Sequence, residues 1–429
     1  MLPSSAAARR KAGRDERKAT PRSVHAAWSD RSSRRAVEIL SATRSDRVPE
    51  LLPVRWKRML VSPFAYFRGA AAVMAEDLMP RAHTGLLAQI CGDAHVQNLG
   101  AYETAEGQLV FDINDFDETT QGPFEWDLLR FATSLALAGG EAGGSDRRVE
   151  SSIRAFIEEY RSSMRHFAAM PFLDLLRHDI SRRLLSGPVD NVLRKAACTT
   201  PQEGLRSVAR RVRGTLQIVR NETMLAVSNQ ETRAVLDSLA EYRASLAPDR
   251  QQAFDRFRPV DVAFKIAGTG SVGRRNYIVL SAGAAADDAL ILQIKQVGGS
   301  VYQRESEASA ADRGRRVIEG QRLMQRGSDP LLGYTSIEGR SFIVRQFRDH
   351  KGSVEPRDLV GKAVVEYARL AGELFARAHA RSGDAIAIAA YCGRSDRLDR
   401  AIGEFAFKYA AQTRADFTEF LAARKDGRL

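Results

Sequence analysis

The spacing of apolar residues changes several times along the chain, and each change predicts a different element. In SPFAYFRGAAAVMAEDLM (62–79) apolar residues recur at helical spacing, Ser62 stands at a cap position and Pro63 suits a first turn, so one helix is predicted. GLLAQI (85–90) reads as a strand that runs straight into an acidic cluster. AYETAEGQLVFDI (101–113) consists of two strand-like runs around Glu106-Gly107, the pattern of a hairpin. WDLLRFATSLALAGG (126–140) predicts a helix that opens at Asp127 and stops at Gly139-Gly140. From about 146 to 250 the pattern is helical and often basic. Near 256 it becomes strand, glycine loop, strand, turn, strand, and a helix follows over 304–326. GYTSIEGRSFIVRQF (333–347) predicts another hairpin. The remainder is helical, with Tyr367, Leu370, Leu374, Phe375 and Ala378 forming one apolar stripe in 366–382.

Composition narrows this picture. A chain of 429 residues is long enough for two or three packed units. The net charge is +12, and part of the excess lies in ARRKAGRDERKATPRS, which cannot bury a core; residues 1–35 are therefore expected to form a basic disordered tail. A solvated tail fits that segment better than a nucleic-acid arm, and no aromatic-studded RNA-binding motif accompanies it, so nucleic acid is not expected as a partner. Cys91, Cys198 and Cys392 are too scattered for a disulfide framework or a metal site. AIAIAAYC (385–392) is too short to span a bilayer and the first residues lack an apolar signal core, so a cytoplasmic location is expected.

The candidate chemistry lies in three places. In GDAHVQN, Asp93 and Asn98 follow an apolar strand at D-x-x-x-x-N spacing; phosphoryl transfer needs an acceptor that orients a hydroxyl and oxygen ligands for Mg2+, and one rigid turn supplies both. A second carboxylate must reach the same ion. Asp115 is the natural candidate, returned by the hairpin, with Asp112 and Asp117 as rivals. The plainer reading makes these turn-bending aspartates, Asp127 a helix cap and His95 a buried, satisfied histidine. The glycine run GTGSVG contributes Gly268, Gly270, Ser271 and Gly273. A lone G-x-G-x-x-G is a weak signal, and the dinucleotide type must open a helix. Here a strand follows, which favours a flap between two strands over nucleotide phosphates. Lys295 then occupies an apolar strand like the lysine of V-A-I-K. It needs a carboxylate partner: Glu319 on the next helix, with Glu305 and Glu307 as alternatives. Against this stands a glycine-rich hairpin with a surface lysine.

GDAHVQN followed by DFDETTQGPFEWDLL resembles the catalytic segment of aminoglycoside phosphotransferases and choline kinases, which reads H-G-D-x-H-x-x-N, I-D-F and G-D-P-x-x-D-L. His95 and Asp127 fall within the match; Cys91 replaces the usual histidine, and the hairpin before Asp115 is longer. The resemblance implies an α+β, protein-kinase-like two-lobed fold, a mainly helical large lobe beside a small antiparallel β lobe, with ATP and Mg2+ as cofactors. Because the acidic cluster precedes the glycine loop, the reverse of ordinary kinases, the fold would be circularly permuted, which surface termini allow. The expected division is 36–255 as the helical lobe with the catalytic loop and metal-binding hairpin, 256–350 as the nucleotide-binding lobe, and 351–429 as helices returning to the helical lobe. Lys295 and Asp115 should then meet in one cleft. Over nearly its whole length, through PRSVHAAW, LLPVRWKRMLVSPFAYFRGAA and IEGQRLMQ, the chain resembles an uncharacterised bacterial family, domain of unknown function 2252. The expected function is an ATP- and Mg2+-dependent phosphotransferase acting on a hydroxyl of an unidentified acceptor. The alternatives are a catalytically inactive kinase-like nucleotide-binding protein and a metallophosphoesterase, whose opening D-x-H the GDAH segment also resembles.

Overall fold

Short apolar strands and the turn residues between them shape the acidic region first. β1 (Leu87–Ile90) carries the chain into the acidic cluster, β2 (Leu99–Glu103) and β3 (Leu109–Ile113) form the hairpin, and β4 (Thr120–Pro123) returns to pair antiparallel with β1. The molecule is described by a computed structural model over residues 5–28, 35–180, 187–198, 201–266, 272–285, 288–303, 312–347 and 352–429. It is an α+β protein. Gly268, Gly270, Ser271, Glu305 and Glu307, singled out above, lie outside the described residues.

The helix predicted over 62–79 is two helices, Pro63–Gly69 and Ala71–Leu78, with Ser62 capping the first through its hydroxyl, which accepts from the Ala65 N–H. A break leaves carbonyls without helical donors. Two arginines supply them: Arg55 Nη2 donates to the Gly69 carbonyl and Arg130 Nη2 to that of Phe67, each at 3.0 Å. The next helix, Glu125–Glu141, is buried along almost its whole length. It forms the main core with helix Asp146–Ala169 and the C-terminal helices Ala363–Ser382 and Arg397–Lys425, the stripe Tyr367, Leu370, Leu374, Phe375 and Ala378 being wholly buried there.

A second region surrounds an antiparallel sheet. After a hairpin of β5 (Ala209–Val212) and β6 (Thr215–Ile218) come β7 (Met224–Leu225), β8 (Arg258–Lys265), β9 (Asn276–Ala282) and β10 (Ala289–Gln296). Helix Asp312–Met324 intervenes before β11 (Gly333–Ile337) and β12 (Arg340–Gln346). The spatial order is β11-β12-β10-β9-β8-β7, while β13 (Gly352–Ser353) pairs with β2. Alternation along β10 divides its residues between two faces. Leu290, Leu292 and Ile294 pack with Val235, Leu239, Tyr242 and Phe254 from the preceding helices, each burial worth about 1.5–3 kcal/mol. Ile291, Gln293 and Lys295 point the other way, and Ile291 joins Leu216, Ile218 and Ala263.

Two expectations need correction. Residues 209–255 do not belong to a helical lobe ending at 255. They form strands and helices whose apolar side chains cover both faces of this sheet, so the boundary lies near 208. Helical periodicity in a short amphipathic run could not reveal which core it joins. Residues 5–28 are likewise not a disordered tail. Ala6–Ala19 is a helix capped by Ser5, and it docks on helix Ala385–Cys392. Gly13 permits the approach, since a Cβ there would stand 2.1 Å from the Ala387 carbonyl oxygen. Arg9 pairs with Asp384 at 2.8 Å, and the buried His25 ring meets the Tyr391 hydroxyl at 2.7 Å. Tertiary docking, not local composition, orders the segment.

Candidate functional site

The turn after β1 is held by groups from the following helix. Asp127 accepts from the backbone N–H of Cys91 (2.9 Å) and Gly92 (3.0 Å), and His379 Nε2 lies 3.3 Å from its carboxylate. It therefore fastens the turn instead of capping its own helix. Gly92 is required at its place: its φ is +78°, and a Cβ would fall 2.3 Å from the Glu118 carbonyl oxygen.

Asp93 is aimed by Arg130, whose Nε and Nη2 both donate to Oδ1, at 2.8 and 2.6 Å, from a fully buried position. His95 Nε2 stands 3.8 Å from the other carboxylate oxygen, and burial pushes that imidazole down to about 4. Asn98 is 1 % exposed and joins the two acidic segments. Its Nδ2 donates to the carbonyls of Asp93 (2.9 Å) and Asp115 (3.0 Å), while its Oδ1 accepts from the Asp115 N–H at 2.6 Å. Its amide is a clasp between backbones, a different contact from the metal ligation its spacing implied.

Asp115 is half exposed, and the structure brings Lys295, 180 residues away in sequence, to it from the far face of β10: Nζ stands 3.5 Å from Oδ1. Asp117 is the lysine's closer partner at 2.8 Å, and Arg274 Nη1 lies 3.5 Å from the same carboxylate. Glu319 is not the partner. It lies exposed on helix Asp312–Met324 and pairs with Arg315 at 2.7 Å. The residue this helix sends inward is Arg316, which donates to the carbonyls of Thr119, Asp117 (2.8 Å) and Gly298 (3.0 Å) and so staples the acidic turn to the loop after β10. Asp112 is also outside the site: it is 1 % exposed and ion-paired with Arg377 at 2.5 Å in the main core. Alternation explains this, because adjacent strand residues face opposite ways and Asp112 lies within β3 while Asp115 lies beyond its end.

Of the glycine run, Gly273 is described. It closes the turn between β8 and β9 with φ +91°, and its carbonyl accepts from the Val48 N–H at 2.6 Å, while Arg47 Nη1 donates to the Val272 carbonyl. The glycine turn is thus anchored on residues 47–48.

These groups border one cavity of about 600 Å3, which Asp93, Asp115, Asp117, Arg274 and the Gly298-Gly299-Ser300 loop share with residues 39–76. Glu118 is half-buried at its edge; desolvation pushes its carboxyl up, against the pull of the Arg274 guanidinium. Sequence reasoning named Asp93 and Asp115 in this cavity and Lys295, which pairs with its carboxylates, and left Asp117 as a rival. It missed the arginines Arg47, Arg55, Arg68 and Arg274. The only signal for Arg47, Arg55 and Arg274 was the density of arginine around RSDR, VRWKR and GRRN, which reads equally well as solvated surface, and Arg68 stood alone in AYFRGA.

Among the described residues no group of three or more His, Cys, Asp or Glu side chains forms a metal cage. Mg2+ does not need one, since it is held by one or two carboxylates together with phosphate oxygens and water, and Asp115 offers an accessible carboxylate at the cavity. Among the described residues no helix is long and apolar enough to cross a membrane. Residues 47–423 match the family described as "Uncharacterized protein conserved in bacteria (DUF2252)", and the chain belongs to it. No curated protein and no solved structure matches the chain.

Proposed function

We propose that this member of the DUF2252 family is an ATP- and Mg2+-dependent phosphotransferase with a circularly permuted, protein-kinase-like two-lobed architecture, acting on a hydroxyl of an acceptor. One observation carries the reading: Lys295, on the second strand after a glycine turn, stands 3.5 Å from Asp115, which lines one cavity together with Asp93. The succession of β8, glycine turn, β9, lysine strand β10 and helix Asp312–Met324 is the succession a kinase uses to cover and grip nucleotide phosphates.

In this reading Asp93, steadied by Arg130, orients the acceptor hydroxyl with its free oxygen. The hydroxyl oxygen forms a bond to the γ-phosphorus while the bond to the bridging oxygen of ADP breaks, and the hydroxyl proton passes to Asp93 or to water. The products are ADP and a phosphate ester. Charge developing on the phosphate oxygens would be neutralised by Mg2+ when it is bound. Asp115 and Asp117 are the carboxylates suited to hold it, and nucleotide phosphates would draw Lys295 from the two aspartates it bridges. Asn98 keeps the Asp93 and Asp115 segments in register.

Incubating the protein with γ-labelled ATP, Mg2+ and a panel of small alcohols tests this; labelled ester should form with the wild type and not with Lys295→Ala. Absence of both ester formation and nucleotide binding overturns it. The nucleotide-binding reading without transfer rests on a specific observation, that Lys295 and Asn98 are already engaged with the acidic segments. It predicts tight MgATP binding and no turnover across the panel. The metallophosphoesterase reading finds no support in the Asp93–His95 pair, which gains no third ligand among the described residues.

A further inference from the structure

The cavity is also lined by cations that the reaction scheme above does not use. Arg55 is 1 % exposed and lines the cavity. Its Nη1 donates to Thr43 Oγ1 and its Nη2 to the Gly69 carbonyl, each at 3.0 Å, but its Nε is buried without an acceptor. Among the described residues no carboxylate lies within ion-pair distance of it, and its charged neighbours are Arg47, Arg274 and Arg44. Burial, with those three cations, pushes the guanidinium well below its ordinary value. Arg68, one helix further on, lines the same cavity and makes no hydrogen bond or ion pair with any described residue; its buried Nε is also without an acceptor. The carboxylates that act on it through space are first Asp93 and then Asp115.

A buried arginine left without a carboxylate is among the costlier arrangements a fold can keep, and a planar fork of N–H donors matches phosphate and carboxylate oxygens. Lys295, which pairs with the cavity carboxylates Asp115 and Asp117, is the group suited to the nucleotide phosphates. Arg68 stands on the side of Asp93, the group assigned to the acceptor hydroxyl. Resting on the phosphotransferase reading, we infer that Arg55 and Arg68 form an oxyanion subsite for the acceptor, so that the substrate is an alcohol bearing its own phosphate or carboxylate group. The same fork could take the terminal phosphate of the nucleotide, and the experiment separates the two sources.

Inorganic phosphate is titrated by calorimetry into the protein saturated with Mg2+ and ADP, and MgATP is titrated separately into the protein alone, for the wild type, Arg55→Gln and Arg68→Gln. The expected result is saturable phosphate binding to the ADP complex, weakened about tenfold or more in each variant, since each loses a charge-assisted contact to the anion. MgATP affinity should stay within about twofold. In transfer assays, glycerol 3-phosphate should outcompete glycerol, and Arg68→Gln should narrow that preference. If the variants weaken MgATP by tenfold while phosphate fails to bind the ADP complex, the anion belongs to the nucleotide and the inference is overturned. If MgATP does not bind at all but phosphate still depends on Arg55 and Arg68, the subsite stands and the phosphotransferase reading falls. Arg55 braces Thr43 and Gly69, so Arg55→Gln could fold poorly; Arg68, which holds nothing in place, supplies the variant that keeps the test decisive.

Discussion

Asp112 and Asp115 leave the same strand of one hairpin and arrive in opposite surroundings. Asp112 is sealed in the helical core against Arg377, where Arg161 and Asp399 form a second pair with hydrogen bonds of 2.6 and 2.7 Å. Asp115 opens into the cavity, shares Lys295 with Asp117, and shares that cavity with Arg55 and Arg68, neither of which is ion-paired with a carboxylate among the described residues. In the core each of these carboxylates has its own arginine, and removing either leaves an uncompensated buried charge. In the cavity the charges are exchangeable. Lysine, two aspartates and unmatched arginines form a set that an anionic ligand and a cation could rearrange. The contrast separates charges that hold the fold from charges arranged for a ligand.

The sharpest way to break that distinction is Asp93→Asn. Transfer should fall by about 10²–10⁴-fold in initial rates, while urea unfolding shows a protein that still folds, with its midpoint lowered because the buried Arg130 loses its carboxylate. Unaltered transfer would remove Asp93 from the chemistry. Arg377→Met should do the reverse on the core side: stability falls by about 3–5 kcal/mol, because Asp112 is left buried and unpaired, read from the unfolding midpoint in urea. A loss below 1 kcal/mol would show that water reaches Asp112 and that the two regions differ less than their geometry says.

The third test uses pH. Burial holds His25 neutral down to about 4 in the folded protein, whereas an unfolded histidine takes up a proton near 6.5. Stability is therefore undiminished above that value and falls as pH drops through 6.5 towards 4, by on the order of 3 kcal/mol in all. His25→Gln should flatten the slope in that window, measured as unfolding free energy against pH. An unchanged slope would mean that His25 is not sealed beneath the N-terminal helix. The smallest effect is expected at Arg9→Ala. Its pair with Asp384 is partly exposed, so stability should change by less than about 1 kcal/mol, and high salt should erase the difference.

How much of this was legible in the chain varies with the range of the interaction responsible. The β2–β3 hairpin, the lysine strand and the C-terminal apolar stripe follow from local period and turn residues, and they stand close to where periodicity puts them. The break at Ala70 was not legible, because Arg55 and Arg130, which receive the loose carbonyls, come from other helices. The order of residues 5–28 depends on Gly13 meeting a helix near the other end of the chain. Glu319 stood at a reasonable spacing from Lys295, but spacing along a helix does not say which face turns inward, and Arg316 holds that face.

The amino-acid sequence by itself determined the strand segments and the hairpin turns, and set Asp93 and Asn98 in one short segment, since these rest on neighbours within a few residues. Only the tertiary structure decided which aspartate meets Lys295, that Asp112 is sealed while Asp115 is open, and that arginines without an ion-pair partner among the described residues line the same cavity. The reason is physical: an ion pair or a cavity joins residues whose separation along the chain carries no record of their distance in space.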